Sequence, residues 1–133
     1  MQVFEKVLWC WSEPINSKNS QMMTERNIEE IVFNKTYNYV IDENIFPSCV
    51  KKISVYMHCY NTLNSIPASI EYLELMYDNW QSIPDITNLP STIKQIRING
   101  ENLSNGKTLF LIRSIRKIPF GCEIFNCKDE KIF

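Results

Sequence analysis

Aliphatic residues recur along this chain in the frame apolar-x-x-apolar-x-apolar. The clearest copies each begin three residues after a proline, and these prolines, Pro47, Pro67 and Pro90, are separated by 20 and 23 residues. Periods of this length are typical of proteins built by stacking one short unit. The last two apolar positions alternate as on one face of a strand, so each copy predicts a short strand. The frame positions are Val50, Ile53 and Val55; Ile70, Leu73 and Leu75; and Ile93, Ile96 and Ile98.

The proline before each predicted strand indicates a bend that leads the chain into the strand, because proline fixes φ and donates no backbone hydrogen bond. A unit of about twenty residues cannot bury its apolar side alone, whereas stacked units build one continuous core. The sequence therefore predicts a mostly β solenoid with one parallel sheet, few or no long helices, and capped ends.

Weaker copies of the frame extend the pattern toward both ends of the chain. We expect a single domain, with an N-terminal cap over residues 1–27, repeats over 28–102 and a C-terminal cap over 103–133. The weaker copies are Ile28, Ile31 and Phe33; Phe4, Val7 and Trp9; and, as a closing candidate, Cys122, Phe125 and Cys127.

The two caps have their own predicted structure. Residues 12–26 are polar and rich in turn-forming residues, which predicts a loop after the first strand. Trp9 and Trp11 either shield the end of the core or present an exposed anchor to a partner. Residues 109–112 fit a helix or a strand, and we favour a helix that begins near Asn105 and is stopped by Pro119.

Aromatic-Asn pairs precede apolar-Pro pairs in the stretch from 33 to 75. Phe33-Asn34 precedes Phe46-Pro47, and Tyr60-Asn61 precedes Ile66-Pro67. This stretch resembles the FNIP repeat, a leucine-rich-repeat-like unit named for its Phe-Asn and Ile-Pro pairs.

The third unit departs from the FNIP pattern. Asn79-Trp80 stands where the aromatic-Asn pair is expected, and an extra Ile83-Pro84 precedes Leu89-Pro90. There the chain is more similar to short leucine-rich repeats of the bacterial type. The resemblance implies a short right-handed, leucine-rich-repeat-like solenoid used for protein binding, of a kind found in social amoebae and large DNA viruses. It implies no catalytic residues.

Length and charge narrow the class of protein. The 133 residues and 15.7 kDa suit one domain, and a formal net charge of −1 gives no electrostatic case for nucleic acid or an anionic membrane. Glu5 and Lys6 interrupt what would be the apolar core of a signal peptide, and the five cysteines are odd in number. We expect a monomer or weak homo-oligomer in the cytoplasm, or in the host cytoplasm if the protein is viral.

Catalysis, cofactors and metal ions are not expected. The single histidine, His58, is next to Cys59, and adjacent side chains on an extended segment point apart, which is poor geometry for proton transfer. Cys122 and Cys127 lack the Cys-x-x-Cys spacing of a zinc site. Three glycines are too few for a phosphate-binding loop.

Residues between the frame positions are predicted to form the solvent face of the sheet, where neighbouring strands are about 4.8 Å apart. Tyr56, Tyr72 and Met76 would form an aromatic and thioether cluster that binds a partner, that a terminal segment covers, or that is simply exposed. Glu74 and Arg97 would form an exposed ion pair. The predicted rows are Glu30, Lys52, Tyr72 and Gln95; Val32, Ser54, Glu74 and Arg97; and Asn34, Tyr56, Met76 and Asn99.

These patterns predict an intracellular protein-protein interaction module that binds a protein through the sheet face. An alternative is the substrate-recognition part of a ubiquitin-ligase-type assembly, or another enzyme adaptor. The basic tail is either a solvated face of the cap or a contact for an acidic partner. The predicted partner-binding residues are Tyr56, Tyr72, Met76, Glu74 and Arg97, and the basic residues of the tail are Lys107, Arg113, Arg116 and Lys117.

Two substitutions at neighbouring positions test the predicted register. Leu73→Asp should unfold the protein because it places a charge in the aliphatic core, whereas Tyr72→Asp should leave it folded because that side chain faces away from the core. Circular dichroism and thermal unfolding of both variants measure this. Equal loss of structure in the two would contradict the register.

Overall fold

The computed structural model describes residues 3–78, 85–100 and 103–132. Its central element is one parallel sheet of six strands, in which spatial order follows chain order. The strands are β1 (Val7–Trp11), β2 (Glu30–Phe33), β3 (Lys52–Tyr56), β4 (Tyr72–Met76), β5 (Gln95–Asn99) and β6 (Glu123–Phe125). Three short helices lie in the described ranges: α1 (Ser17–Glu25) after β1, α2 (Tyr60–Leu63) after β3, and α3 (Asn105–Ile112) after β5. The predicted mostly β architecture with one parallel sheet is confirmed.

The prolines of the repeat build the same turn in each unit. The backbone N–H groups of Val50, Ile70 and Ile93 each donate to the carbonyl of the proline three residues earlier, at 3.2, 3.1 and 3.3 Å. The N–H of Cys122 donates to the carbonyl of Pro119 at 3.0 Å in the same way. The repeated sequence therefore forms a repeated bend, and Pro119 uses this bend to lead into β6.

Successive units are joined where their strands begin. The Glu29 carbonyl accepts hydrogen bonds from the N–H groups of both Lys51 and Lys52, and the Lys51 carbonyl accepts from Glu71 and Tyr72. These shared acceptors hold neighbouring strands in one register. A slip by one residue would turn every aliphatic side chain to the wrong face.

The aliphatic frame forms the core on one face of the sheet. The row Ile31, Ile53, Leu73, Ile96 and Ile124 runs across β2 to β6, and all five side chains are fully buried. A second row, Val55, Leu75 and Ile98, is equally buried. Each such side chain stabilises the fold by roughly 1.5–3 kcal/mol. The register predicted for the central strands is confirmed.

The frame predicted for the first unit is wrong by one residue. Leu8, and not Val7, pairs with Ile31, and the register then shifts before Trp11 pairs with Phe33. Cys10 lies within this irregularity at φ 54°. Val7 and Trp9 are thereby placed on the face opposite the core, and Trp9 is 73% exposed.

The frame predicted for the last unit is also wrong by one residue. Ile124 pairs with Ile96, and Phe125 pairs with Arg97 on the opposite face. The cause is a shorter connection between turn and strand. A single residue separates Cys122 from Ile124, whereas two residues separate Ile93 from Ile96.

The polar segment predicted as a loop after β1 contains α1. The Asn16 side chain caps the helix by accepting from the N–H of Asn19, and the Asn19 side chain accepts from the N–H of Asn16. This reciprocal pair satisfies two backbone donors that a helix start otherwise leaves free. Met23 is fully buried against the core, which joins α1 to the sheet.

The helix favoured in the C-terminal tail is confirmed as α3. The Ser104 side chain caps it by accepting from the N–H of Lys107 at 3.1 Å. The helix ends at Ile112, well before Pro119. The chain then turns, and Ile115 forms an isolated parallel bridge with Ile86.

The cysteines should differ strongly in reactivity. Burial raises the pKa of the Cys59 and Cys122 thiols to about 11 from the ordinary value of 9.0, whereas Cys10 is exposed. A rise of two pKa units means about 100-fold less thiolate near pH 8. Iodoacetamide labelling followed by peptide mass mapping should therefore modify Cys10 first and reach Cys59 and Cys122 only in urea.

Cys10→Ser is the control for that labelling, since it should remove the fast phase and leave the slow ones unchanged. Fast modification of Cys59 in the native protein would contradict the packing of the β3–β4 connection.

Candidate partner-binding site

The outer face of the sheet is the face opposite the aliphatic core, and the N-terminal segment crosses part of it. Phe4 precedes β1, yet its ring packs edge-on against Tyr72 of β4, with ring centroids 5.8 Å apart. Tyr72 is three strands away from β1 in the sheet order. Below this crossing, Glu30 and Lys52 are only 7% and 8% exposed. One alternative from the sequence was that a terminal segment covers this cluster, and the N-terminal segment does cover Tyr72.

A C-terminal turn, residues 126–131, borders the opposite side of the outer face. The Asn126 side chain holds this turn by accepting from the N–H groups of Lys128 and Glu130, both at 2.9 Å. The Arg97 guanidinium of β5 donates to the Cys127 carbonyl at 2.9 Å and lies 3.5 Å from the Asp129 carboxylate. Arg97 therefore connects the sheet to the turn.

Between the two chain ends lies the outer-face cavity, with a volume of about 450 Å³. This volume falls within the range of about 300–1,000 Å³ typical of ligand cavities. Apolar side chains from the N-terminal segment and β1 stand on one side, and polar side chains of the central strands form the floor. The cavity is lined by Val3, Phe4, Val7, Trp9, Glu30, Val32, Lys52, Ser54, Glu74, Met76, Arg97, Asn99 and Asp129.

The floor of the outer-face cavity is a network of charged and polar groups. The Lys52 ammonium lies 3.4 Å from the Glu30 carboxylate and 4.0 Å from that of Glu74. One Glu74 oxygen accepts from the Ser54 hydroxyl at 3.3 Å, and the other accepts from the Asn99 amide at 3.0 Å. Burial raises the pKa of Glu30, although the Lys52 charge opposes that rise. Two carboxylates therefore share one ammonium.

The predicted ion pair between Glu74 and Arg97 is wrong. The two residues occupy facing positions on β4 and β5 as expected, but Arg97 pairs with Asp129 and Glu74 accepts from Ser54 and Asn99. The C-terminal turn supplies a carboxylate in a position that the repeat pattern does not reveal.

The predicted cluster of Tyr56, Tyr72 and Met76 is divided by the structure. Tyr56 and Met76 face each other on β3 and β4. Tyr72 lies at the other end of β4, about 13 Å along the strand, where Phe4 covers it. Of the predicted partner-binding residues, Met76, Glu74 and Arg97 line the cavity, and Tyr56 and Tyr72 are not among its lining residues. Asn34, predicted for the same row as Tyr56, lies one residue beyond the end of β2.

The residues that sequence reasoning missed come from the two ends of the chain. Val3 and Phe4 reach the cavity through the crossing of the N-terminal segment, and Asp129 through the C-terminal turn. No periodic signal marks such residues. Trp9 was predicted as a shield or as an anchor, and it is exposed on the cavity wall. The departures from the repeat at Asn79-Trp80 and Ile83-Pro84 lie outside the described residues.

His58 and Cys59 do not point apart as the sequence predicts. His58 Nε2 is 2.9 Å from the Lys35 carbonyl, and the Cys59 thiol donates to the same carbonyl at 3.5 Å. The pKa of that thiol, raised by burial to about 11, disfavours the thiolate that a nucleophile requires. Across residues 3–78, 85–100 and 103–132, no three His, Cys, Asp or Glu side chains are grouped to hold a metal ion.

Replacing Lys52 tests the shared ammonium. Lys52→Met leaves the Glu30 and Glu74 carboxylates without the buried ammonium group that they share, and we expect a loss of about 3–5 kcal/mol in the free energy of unfolding near pH 7. Urea unfolding measures this loss. Lys51→Met is the matched control, because the neighbouring side chain lies outside the outer-face cavity.

The loss should shrink as the pH falls. Burial raises the folded-state pKa of Glu30 above its ordinary value of 4.5, and Lys52 opposes that rise. Lys52→Met lacks this opposition, so its Glu30 pKa should be higher still, and protonation of Glu30 should stabilise the variant more than the wild type. This stabilisation is complete below about 4.5 and is lost as the pH rises through the folded-state pKa. A loss of stability that is independent of pH, or equal in Lys51→Met, would contradict the shared ammonium.

Comparison with protein-family models, with curated proteins and with solved structures found no match for this chain. None of the helices in the described part of the chain is long and apolar enough to span a membrane.

Proposed function

We propose that this protein is an interaction module of the leucine-rich-repeat-like solenoid type, which binds an extended segment of a partner protein in the outer-face cavity. The observation that carries the proposal is the combination of an exposed Trp9 on the cavity wall with a floor of oriented polar groups. Large aromatic side chains at the rim of a polar groove are effective anchors for a partner, since they bury much area on binding and lose little entropy.

The polar floor suits recognition because its groups are already oriented. Ser54 and Asn99 hold the two oxygens of Glu74, and Arg97 is held by the C-terminal turn. Little side-chain freedom remains to be lost when a partner binds. Met76 and Val32 add apolar surface within the same cavity.

Outside the sheet, contacts between successive loops support the proposed stacking of solenoid units. The N–H of Asn61 donates to the Asn38 side chain at 2.8 Å, and the Asn61 side chain donates to the Asn38 carbonyl at 3.2 Å. One unit later, the Asn88 side chain donates to the Asn64 carbonyl at 3.0 Å. Side-chain amides thus bridge successive connections as the shared carbonyls bridge successive strands.

We place this function in a reducing compartment, the cytoplasm. The five cysteines are free thiols, two of them buried. Buried free cysteines pack as small apolar residues and need no oxidising environment.

Peptide display tests the proposed function. Random peptides of about twelve residues, long enough to cross the sheet, are selected on the immobilised protein. Selected peptides should bind the wild type and lose at least about tenfold in affinity for Met76→Lys, which fills the cavity with a long charged side chain. Val40→Lys is the matched control, because Val40 is 70% exposed and does not line the cavity.

Thermal unfolding establishes that both lysine variants are folded before their affinities are compared. Peptides that bind Met76→Lys as tightly as the wild type would move the interaction away from the outer-face cavity. A selection that yields no cavity-dependent peptide would contradict the proposed function.

A further inference from the structure

We infer that the outer-face cavity receives a positively charged side chain of the partner, and that this side chain is an arginine whose guanidinium group binds the Glu74 carboxylate. The inference rests on the proposed function and specifies the chemistry of the segment that binds.

The charges that line the cavity are unequal in number. Three carboxylates, Glu30, Glu74 and Asp129, face two cations, Lys52 and Arg97. Glu30 has Lys52 at 3.4 Å, and Asp129 has Arg97 at 3.5 Å. The Glu74 carboxylate is farther from the Lys52 ammonium group, at 4.0 Å. In the described part of the chain, Glu74 is therefore the carboxylate in this cavity without a cation of its own.

The position of Glu74 suits it to bind a cation. It lies in the middle of β4, near the centre of the sheet, with a side chain only 14% exposed. Water screens such a site weakly, so a charge that enters gains more than it would at an open surface. Each oxygen accepts one hydrogen bond at 3.5 Å or less, from Ser54 or Asn99. Because a carboxylate offers about four acceptor positions, room remains for two further donors.

The Glu74 carboxylate explains why arginine is preferred to lysine. A guanidinium group can donate two parallel hydrogen bonds to a carboxylate, whereas an ammonium group cannot. Trp9 is 73% exposed on the cavity wall, three strands away from Glu74, and would contact the partner beside the arginine. The three methylenes of an arginine would lie against apolar neighbours such as Met76 and Val32.

An acidic side chain is a poor occupant of the same cavity. The Arg97 guanidinium already donates to Cys127 and pairs with Asp129. An entering carboxylate would lie near both Glu74 and Asp129, which line the same cavity. Like charges in a weakly screened cavity repel, so this arrangement is unfavourable.

A short blocked peptide provides a direct probe. Acetyl-Leu-Arg-Leu-amide is titrated into the ¹⁵N-labelled protein, and its citrulline counterpart, which has nearly the same shape but no charge, is titrated in parallel. We expect saturable shifts of the Trp9 indole N–H and the Asn99 side-chain amide. The citrulline peptide should bind at least about tenfold more weakly, since charge-assisted hydrogen bonds are about twice as strong as neutral ones.

Two matched variants locate the cation. Glu74→Gln keeps an acceptor for its neighbours but removes the charge, and it should weaken the arginine peptide to the level of the citrulline peptide. Glu71→Gln removes a carboxylate that pairs with Lys94 outside this cavity, and should leave binding unchanged. If Glu74→Gln does not fold, the comparison of the arginine and citrulline peptides on the wild type decides the matter alone.

The outcomes separate this inference from the proposed function. Equal affinity for the two peptides, or equal weakening by Glu74→Gln and Glu71→Gln, would overturn the arginine assignment. If display also selects cavity-dependent peptides that lack a basic residue, the interaction function stands and only the arginine is rejected. If neither display nor titration gives a cavity-dependent signal, both proposals fall together.

Discussion

Each unit of this protein can bury its aliphatic residues only against the units beside it, and the rest of the structure depends on that constraint. The rows through Leu73 and Leu75 are continuous because strands follow one another in chain order with matched register. The shared carbonyls at the strand starts and the proline turns keep that register. A shift by one residue would exchange the aliphatic face with the polar face, so hydrogen bonding and burial enforce the same alignment.

The same constraint leaves a second face of the sheet without an aliphatic row. In place of aliphatic rows, the outer face has charged and polar residues interspersed with apolar ones such as Val32 and Met76, and the two ends of the chain partly cover it. Phe4 reaches across to Tyr72, and the C-terminal turn binds Arg97. These contacts enclose the cavity whose floor is the network around Lys52 and Glu74. A surface that would otherwise be an open ladder of side chains thereby becomes a concave site with oriented groups.

Buried charge is the basis of the chemical preference that we propose for this site. Removing an ion pair from water costs free energy that only well-placed partners offset. Glu30 and Lys52 satisfy each other closely, and burial still raises the pKa of Glu30. Glu74 has hydrogen-bond donors but no dedicated cation. Ser54 and Asn99 stabilise the Glu74 carboxylate when no partner is bound. In our proposal, a cation of the partner stabilises it further.

The sequence was sufficient to predict the repeat, the parallel strands and the inward residues from Ile31 to Ile98, because aliphatic spacing and proline turns are local signals. It also supported α3. It placed the frames of β1 and β6 one residue wrongly. A bulge at Cys10 and a shorter connection after Cys122 shift the inward positions by one residue, and the spacing of apolar residues does not reveal that shift. It described α1 as a loop, since a capping box of two asparagines, Asn16 and Asn19, gave a weak signal in a polar segment. Two contacts could be seen only once the chain was folded: Asp129, and not Glu74, pairs with Arg97, and Phe4 covers Tyr72. These are contacts between chain ends and the sheet, made by residues distant in sequence, and no periodic pattern encodes them.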